Sequence, residues 1–356
     1  MSPDDLLASY DYLLPRELIA VEPLAQRDAS RLMLLDRAAR TIDHRRFDEL
    51  PDLLRPGDLL VVNETQVIPA RIAGVRQQTG GKWEGLFLGC DGEGHWRVMG
   101  QTRGRLLPGE IVELRPIHGS SDQNAVPIPL RLLSREADGV WTAVPPGGTD
   151  PLDILQRYGT VPLPPYMGRD VARPEDWQRY QTTFARTPGA IAAPTAGLHF
   201  TPELFARCAA RGIETAKVTL HVGSGTFRPV SVDSLDAHQM HAEWCELPAE
   251  TVAAIQRTRA AGGRVVPVGT TSVRTLESVA SHGELRAWQG ETALFIRPPY
   301  EFRVTDALVT NFHLPKSTLL VLVSALAGRE FVLRAYEEAV RERYRFFSYG
   351  DAMLIV

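Results

Sequence analysis

The sequence predicts an α/β fold: a large mixed α/β layered domain carrying an inserted small antiparallel β module. Three observations predict it. From about residue 174 onward, helical periods alternate with short apolar strands, the mark of a layered α/β architecture. Residues 71–150 instead hold 14 of the 29 glycines and show no helical period. The length, 356 residues, suits about two domains.

Taken in order, Arg31 to Arg37 (RLMLLDR) is a short apolar run suited to a buried strand. Arg55-Pro56-Gly57-Asp58 is a turn signal, and Leu59 to Asn63 follows it as a second strand. Within 71–150, short alternating runs start at Arg71, Lys82, His95, Glu110, Ala125 and Val140, separated by Gly- and Asp-rich turns. Near-regular spacing of this kind predicts a small antiparallel barrel or sandwich. The domains are therefore expected at 1–70 with 151–356, and at 71–150. Beyond the insertion, helices are predicted over Pro151 to Tyr158, Pro202 to Arg211, Ala249 to Ala261, Ser272 to His282, Ser317 to Ala327 and Phe331 to Tyr344. Strands are predicted over Glu214 to Val222, Arg264 to Gly269 and Leu308 to Phe312.

Composition narrows the functional classes. Hydrophobic residues at 44% and charged residues at 23% are ordinary for a globular chain and exclude disorder or a collagen-like repeat. No apolar run reaches membrane-spanning length, since Leu314 to Leu326 is broken by Lys316, Ser317, Thr318 and Ser324. The start of the chain has no signal-peptide pattern. Cys90, Cys208 and Cys245 are odd in number and far apart, which excludes a disulfide scaffold and fits a cytoplasmic location. A net charge of −4 speaks against nucleic-acid binding through the overall field but leaves room for a local basic patch.

The common enzyme signatures are absent: no phosphate loop of the GxxxxGK[ST] type, no HExxH, no CxxC and no GxSxG. Gly223-Ser224-Gly225 starts like a dinucleotide fingerprint, but Arg228 stands where the third glycine belongs. Chemistry concentrates instead in polar blocks at strand–loop and loop–helix boundaries. These are AAPTAGLHFT (Ala192 to Thr201), TLHVGSGTFRPV (Thr219 to Val230), DAHQMHAE (Asp236 to Glu243), VGTTSVRTLES (Val268 to Ser278), TNFHLPKSTLL (Thr310 to Leu320) and YRFFSYGDAMLI (Tyr344 to Ile355). Thr270-Thr271-Ser272 before a helix offers free backbone N–H groups to an anion, and Arg274 could fork onto a carboxylate or phosphate. An ordinary helix cap with a surface arginine fits the same residues. His238-x-x-His241-x-Glu243 has metal-ligand residue types but no third strong ligand at a fitting spacing, so hydrogen-bonding histidines fit it better and no metal is expected. The aromatic rings around Arg345 suit a nucleobase or a sulfonium cation, and equally a packed core.

In order, these blocks resemble the S-adenosylmethionine:tRNA ribosyltransferase-isomerase family of queuosine biosynthesis. The resemblance also covers Tyr10 to Arg37, Arg55 to Gly74, Gly80 to Glu84 and Val161 to Arg169. It is weak over roughly 85–150. It implies an α/β domain with an inserted β-barrel. It also implies transfer and isomerisation of the ribosyl moiety of S-adenosylmethionine onto 7-aminomethyl-7-deazaguanine at the tRNA wobble position. Epoxyqueuosine would form, with release of adenine and methionine. S-Adenosylmethionine is then a consumed co-substrate, no separate cofactor is expected, and the partner is the tRNA anticodon loop.

Such a reaction needs a base to deprotonate the carbon beside the sulfonium, a donor for the departing adenine, and a base for the attacking amine. By residue type, His199, His221 and His241 are the proton-transfer candidates. Arg274 with Thr271 and Ser272 is the candidate anion clamp. Glu243 and Asp351 are candidate carboxylates near the cation or the amine, and Phe346 and Tyr349 are candidate stacking rings. Arginines that could meet phosphates include Arg71, Arg76, Arg97, Arg103, Arg105, Arg341, Arg343 and Arg345.

Overall fold

The computed structural model describes the whole chain except Met1 and residues 118–119, 121, 123, 137, 170–171, 224 and 226–231. It divides into two compact units. One comprises Met1–Thr65, Thr182–Thr187 and Ala193–Val356; the other comprises Gln66–Gln181 and Pro188–Ala192.

The first unit is built on a nine-stranded mixed sheet. From one edge to the other its strands are Trp288–Thr292, Glu243–Leu247, Glu214–Leu220, Leu59–Asn63, Val265–Val268, Leu308–Asn311, Ala352–Ile355, Arg31–Asp36 and Thr41–Arg46. The four strands from Glu214–Leu220 to Leu308–Asn311 run parallel. Parallel strands are covered on both faces and so read as unbroken apolar runs. Leu59–Asn63 and Val265–Val268 are buried at every position. Thr41–Arg46 is nearly all polar and exposed, which suits an edge strand.

Alternate residues of each strand feed different cores. Leu60, Val62, Val266 and Val309 pack with the helix Pro202–Ala210 through Leu204 and Cys208. Leu59, Val61 and Val265 point the other way, to the helices Ala249–Ala260 and Thr270–Ser281. On that same face Met33, Leu308 and Met353 meet the helices Thr318–Ala327 and Arg329–Arg341. Side-chain hydroxyls set two of the helix starts: Thr201 accepts from the Leu204 N–H at 3.1 Å and Ser317 from the Leu320 N–H at 3.2 Å.

The second unit contains a closed six-stranded antiparallel barrel. In spatial order its strands are Val140–Val144, Trp96–Thr102, Lys82–Cys90, Arg71–Arg76, Ile111–Arg115 and Ile128–Arg135. Each of the six runs expected over 71–150 overlaps one of these strands, and the barrel, not the sandwich, is the arrangement they adopt. Three indoles fill its interior: Trp83, Trp96 and Trp141. Glycine is required where the backbone passes closest to them. A Cβ at Gly85 or Gly100 would meet the Trp83 ring at 2.1 Å or 2.7 Å. The compact unit is wider than 71–150 because the chain after the barrel folds back on it. Thr160 exchanges backbone hydrogen bonds with Arg71, and the Tyr158 hydroxyl donates to the Val126 carbonyl at 2.5 Å. Among the described residues, no helix is long and apolar enough to cross a membrane.

Asp58 closes the end of the sheet where Leu59–Asn63 and Val265–Val268 begin. It is 2% exposed, takes two hydrogen bonds from Arg264 at 3.0 and 2.6 Å, and accepts from the Arg55 N–H at 2.8 Å. Removing one partner of a buried pair leaves the other charge uncompensated, at a cost of about 3–5 kcal/mol. Asp58→Ala is expected to lose stability on that scale in urea titration. Asp48→Ala, at an exposed pair with Arg46, is expected to lose less than about 1 kcal/mol.

Candidate active site

Topology locates the site. The chain reaches Glu214–Leu220 from Leu59–Asn63 through the helix Pro202–Ala210 on one face. It reaches Leu308–Asn311 from Val265–Val268 through Thr270–Ser281 on the other. The neighbouring strands Leu59–Asn63 and Val265–Val268 therefore send their connections to opposite faces. In open α/β sheets this switch opens a crevice at the carboxyl ends of the two strands. Its walls are Asn63-Glu64-Thr65 on one side and Gly269 with the start of the Thr270–Ser281 helix on the other. The backbone N–H groups of that helix start give it an anion-accepting end. Gly269 has φ +85°, and a Cβ there would lie 3.5 Å from Ala196, so the 195–199 segment borders the same place.

Asn63 organises this edge. Its side chain accepts from the N–H groups of Thr65 (3.1 Å) and Leu220 (3.0 Å) and donates to the Leu220 carbonyl (3.0 Å). That bridge sets Thr65 opposite His221, whose Nδ1 lies 2.7 Å from the Thr65 hydroxyl. The His221 ring stacks on Trp244, with centroids 5.0 Å apart. It is half-buried, and burial lowers its pKa below the ordinary histidine value, favouring the neutral base.

Glu243 and Arg274 stand next to it. They form a buried ion pair, with Nη1 of Arg274 on one carboxylate oxygen and the Gly223 N–H donating to the other at 2.8 Å. The remaining donors of Arg274 face the carbonyls of Leu294 (3.3 Å) and Thr292 (3.4 Å). The expected clamp thus has an internal occupant. Arg274 is not a surface arginine waiting for a ligand; it fixes Glu243, which in turn holds the loop at Gly223. Ser272 is fully buried and donates to the Val268 carbonyl at 2.9 Å, as a helix residue bonding back one turn. Thr271 is partly buried, and its hydroxyl has no hydrogen-bond partner among the described residues. His241 is exposed and lies against Gly225, where a Cβ would come within 2.4 Å of its ring. The remainder of that block, Ser224 and Thr226 to Val230 with Arg228, lies outside the described residues. Among the described residues no three metal-ligating side chains converge, so the His238–His241–Glu243 spacing does not assemble into such a cluster.

A second group sits three strands away. His199 lies between Ser30 and Asn311: Nδ1 is 2.8 Å from the Ser30 hydroxyl and Nε2 is 3.2 Å from Asn311 Nδ2. Asn311 Nδ2 also faces the carbonyls of Phe347 (3.2 Å) and Asp351 (3.5 Å). Those acceptors fix the amide orientation, so Asn311 presents an N–H to Nε2 of His199, while Nδ1 lies within reach of the Ser30 hydroxyl. The ring is buried, stacked on Phe47 at 4.7 Å, and has a polar neighbour at each nitrogen. Asp351 is buried and accepts backbone N–H bonds from Arg31 (2.9 Å) and Arg345 (2.8 Å), and burial pushes its pKa up. Phe346 is fully buried against Phe312, Tyr12 and Tyr336, so it packs the core and does not face a ligand. Tyr349 is buried close by.

Thr65, Asn63, Trp244, Ser30 and Asn311 were not among the expected residues. A signal existed for Thr65, Asn63 and Asn311, since polar residues at the end of a buried apolar strand mark this edge. Glu64 belongs with them: it is 1% exposed and flanked by Arg186 at 2.5 Å and Lys217 at 3.2 Å. Ser30 meets His199 across 169 residues, which no local pattern reveals.

Two outcomes follow. Burial lowers the His199 pKa from 6.5 to about 4, so between those values the unfolded chain binds a proton that the folded one refuses. Stability present above pH 6.5 is lost as pH falls, by on the order of 3 kcal/mol at full effect. His199→Gln should flatten this acid limb in urea titrations between about pH 6 and about pH 4.5. An unchanged slope would show that the ring is protonated in the fold. Arg274→Lys keeps the charge but loses the fork, and should lower stability by about 1–3 kcal/mol, read as a reduced urea midpoint.

Comparison with known proteins identifies the family. The model of a family described as "Queuosine biosynthesis protein" matches residues 7–355. The chain is 50% identical to the S-adenosylmethionine:tRNA ribosyltransferase-isomerase of Symbiobacterium thermophilum over 357 residues, covering 98% of this chain and 99% of that one. It is 51% identical to the protein of the same name from an Anaeromyxobacter species, covering 98% of each. A crystal structure of the S-adenosylmethionine tRNA ribosyltransferase of Thermotoga maritima is similar at 39% identity and a TM-score of 0.56, covering 98% of this chain and 100% of that one. Matched along nearly its whole length, and sharing the fold of a solved relative, the chain belongs to the queuosine biosynthesis protein family.

Proposed function

We propose that this enzyme transfers and isomerises the ribosyl moiety of S-adenosylmethionine onto 7-aminomethyl-7-deazaguanine at the wobble position of tRNA. The product is epoxyqueuosine-tRNA, and adenine and methionine leave. S-Adenosylmethionine is consumed as a co-substrate, with no separate cofactor. The observation that carries the reading is the His221 cradle at the edge of the sheet crevice. A half-buried ring is clamped by Thr65 and Trp244 beside the buried Glu243–Arg274 pair, across from a helix start.

The chemistry follows from those groups. A sulfonium acidifies the neighbouring 5′-carbon, and a neutral imidazole can take that proton to leave an ylide. Burial keeps His221 in the neutral form. With Nδ1 engaged by Thr65, Nε2 is the nitrogen left to face substrate. The free N–H groups at the Thr270–Ser281 helix start suit the methionine carboxylate.

The direct test is incubation with S-adenosylmethionine and tRNA carrying the aminomethyl-deazaguanine. Adenine, methionine and a heavier nucleoside are expected together. Methyl transfer to the tRNA, leaving S-adenosylhomocysteine, would overturn the proposal. At the residue level, His221→Gln should lower turnover by about 10²–10⁴-fold while S-adenosylmethionine still binds. Because a base works in its neutral form, the acid limb of kcat/KM should fall below pH 6.5, the ordinary histidine value from which His221 is lowered. Thr65→Val should move that limb and Thr65→Ser should restore it. An unshifted limb in Thr65→Val would remove Thr65 as the residue that positions the ring.

A further inference from the structure

The barrel contains a buried ion pair that the proposed chemistry does not use. Arg76 and Glu110 are both largely buried. Arg76 Nε and Nη2 meet the two carboxylate oxygens, the second at 3.1 Å. The rest of the guanidinium donates to two backbone carbonyls of one loop, Arg103 at 3.2 Å and Arg105 at 3.0 Å. Glu110 accepts from the Leu107 N–H of the same loop at 3.1 Å. Gly104, at φ +88°, lies over the fork, where a Cβ would stand 3.6 Å from Nη1. Burying two charges is costly and gives little net stability. What it accomplishes is to hold the 103–107 loop in one shape.

That loop presents cations. The side chains of Arg103 and Arg105 are exposed, and neither has an ion-pair partner among the described residues. Lys82, also exposed, stands one step beyond the Trp83–Thr102 pair of the adjoining strands, across from Arg103. The opposite end of the same strand pair, past Cys90–Trp96, carries Asp91 and Glu93. Of the other arginines that could have met phosphates, Arg97 pairs with Glu136 and Arg341 with Glu338, while Arg345 donates to the Glu22 carbonyl.

We infer that the 103–105 loop, with Lys82, is a preorganised binding surface for the phosphate backbone of a polynucleotide. The inference rests on the reading that tRNA is the substrate and adds where on the barrel its phosphates are held. A rigid loop with two unpaired guanidiniums fits phosphates because each offers a planar fork to the oxygens, with no internal anion to displace. The overall charge of −4 cannot supply that attraction, so it must come from a local cluster.

The test is the salt dependence of binding to a full-length tRNA transcript. Each phosphate contact contributes about 0.7 to the slope of log affinity against log salt on single strands and about 0.9 on duplex. The Arg103→Ala/Arg105→Ala double variant should lose about 1.4 to 1.8 of that slope. Arg103→Lys/Arg105→Lys should keep most of it, and Arg97→Ala should match wild type. A double alanine variant with the full wild-type slope would overturn the inference. So would a wild type that binds poly-glutamate as tightly as the transcript through the same two arginines, which would make the partner an acidic polypeptide. A wild type that neither binds the transcript nor releases adenine with it would break the functional reading itself. Wild-type turnover combined with an unaltered slope in the double variant would break only the loop assignment.

Discussion

The candidate site depends on how two parallel strands end. Leu59–Asn63 and Glu214–Leu220 run side by side, buried along most of their length, and must stop pairing at the same edge without leaving polar backbone groups unsatisfied. The Asn63 side chain solves this by acting as one more peptide. It takes the N–H of Leu220 and the N–H of Thr65 and returns a bond to the Leu220 carbonyl. With that bridge in place Thr65 has no freedom, and its hydroxyl meets His221 one residue past the neighbouring strand. An aliphatic residue at position 63 would leave two buried N–H groups without acceptors and free the ring that they orient.

The same economy of position separates the two groups of polar residues. Around His221, one ring nitrogen is engaged and the ring is half-exposed, so a proton can still be exchanged with a ligand. Around His199 both nitrogens are engaged and the ring is buried, so the residue ties Ser30 to Asn311 across the sheet. Two histidines that follow a leucine in similar contexts thus sit in different surroundings, one with a polar neighbour at each nitrogen and one half-exposed. Arg274 follows the same logic: its guanidinium is paired from within by Glu243.

Much of the fold was legible in the sequence. Fully apolar runs such as Leu59–Asn63 announce a buried parallel strand, and helices such as Pro151–Tyr158 announce themselves by period and cap. The alternating runs of the insertion resolved into the six strands of the barrel. Strands without a distinctive pattern were not legible. Thr41–Arg46 is an exposed polar edge, and Ala352–Ile355 closes a block whose rings and charges read as a ligand site. For the site, the edge of the sheet was legible because polar residues follow apolar strands there. Partners were not, because Ser30 with His199, or Thr65 with His221, come together only through the strand order. The rings of Phe346 and Phe312 illustrate the remaining ambiguity. Aromatic residues near the end of a sheet serve a core as readily as a ligand, and here they pack on each other with centroids 5.0 Å apart.

Catalysis by His221 requires substrate to enter the crevice between the ends of Leu59–Asn63 and Val265–Val268. The most direct measurement is a crystal structure of the enzyme with S-adenosylmethionine bound. Density for the ligand is predicted at that crevice, with its 5′-carbon within reach of His221 Nε2 and its carboxylate at the start of the Thr270–Ser281 helix. Density beside Asp351 and Tyr349, with the His221 edge empty, would contradict it.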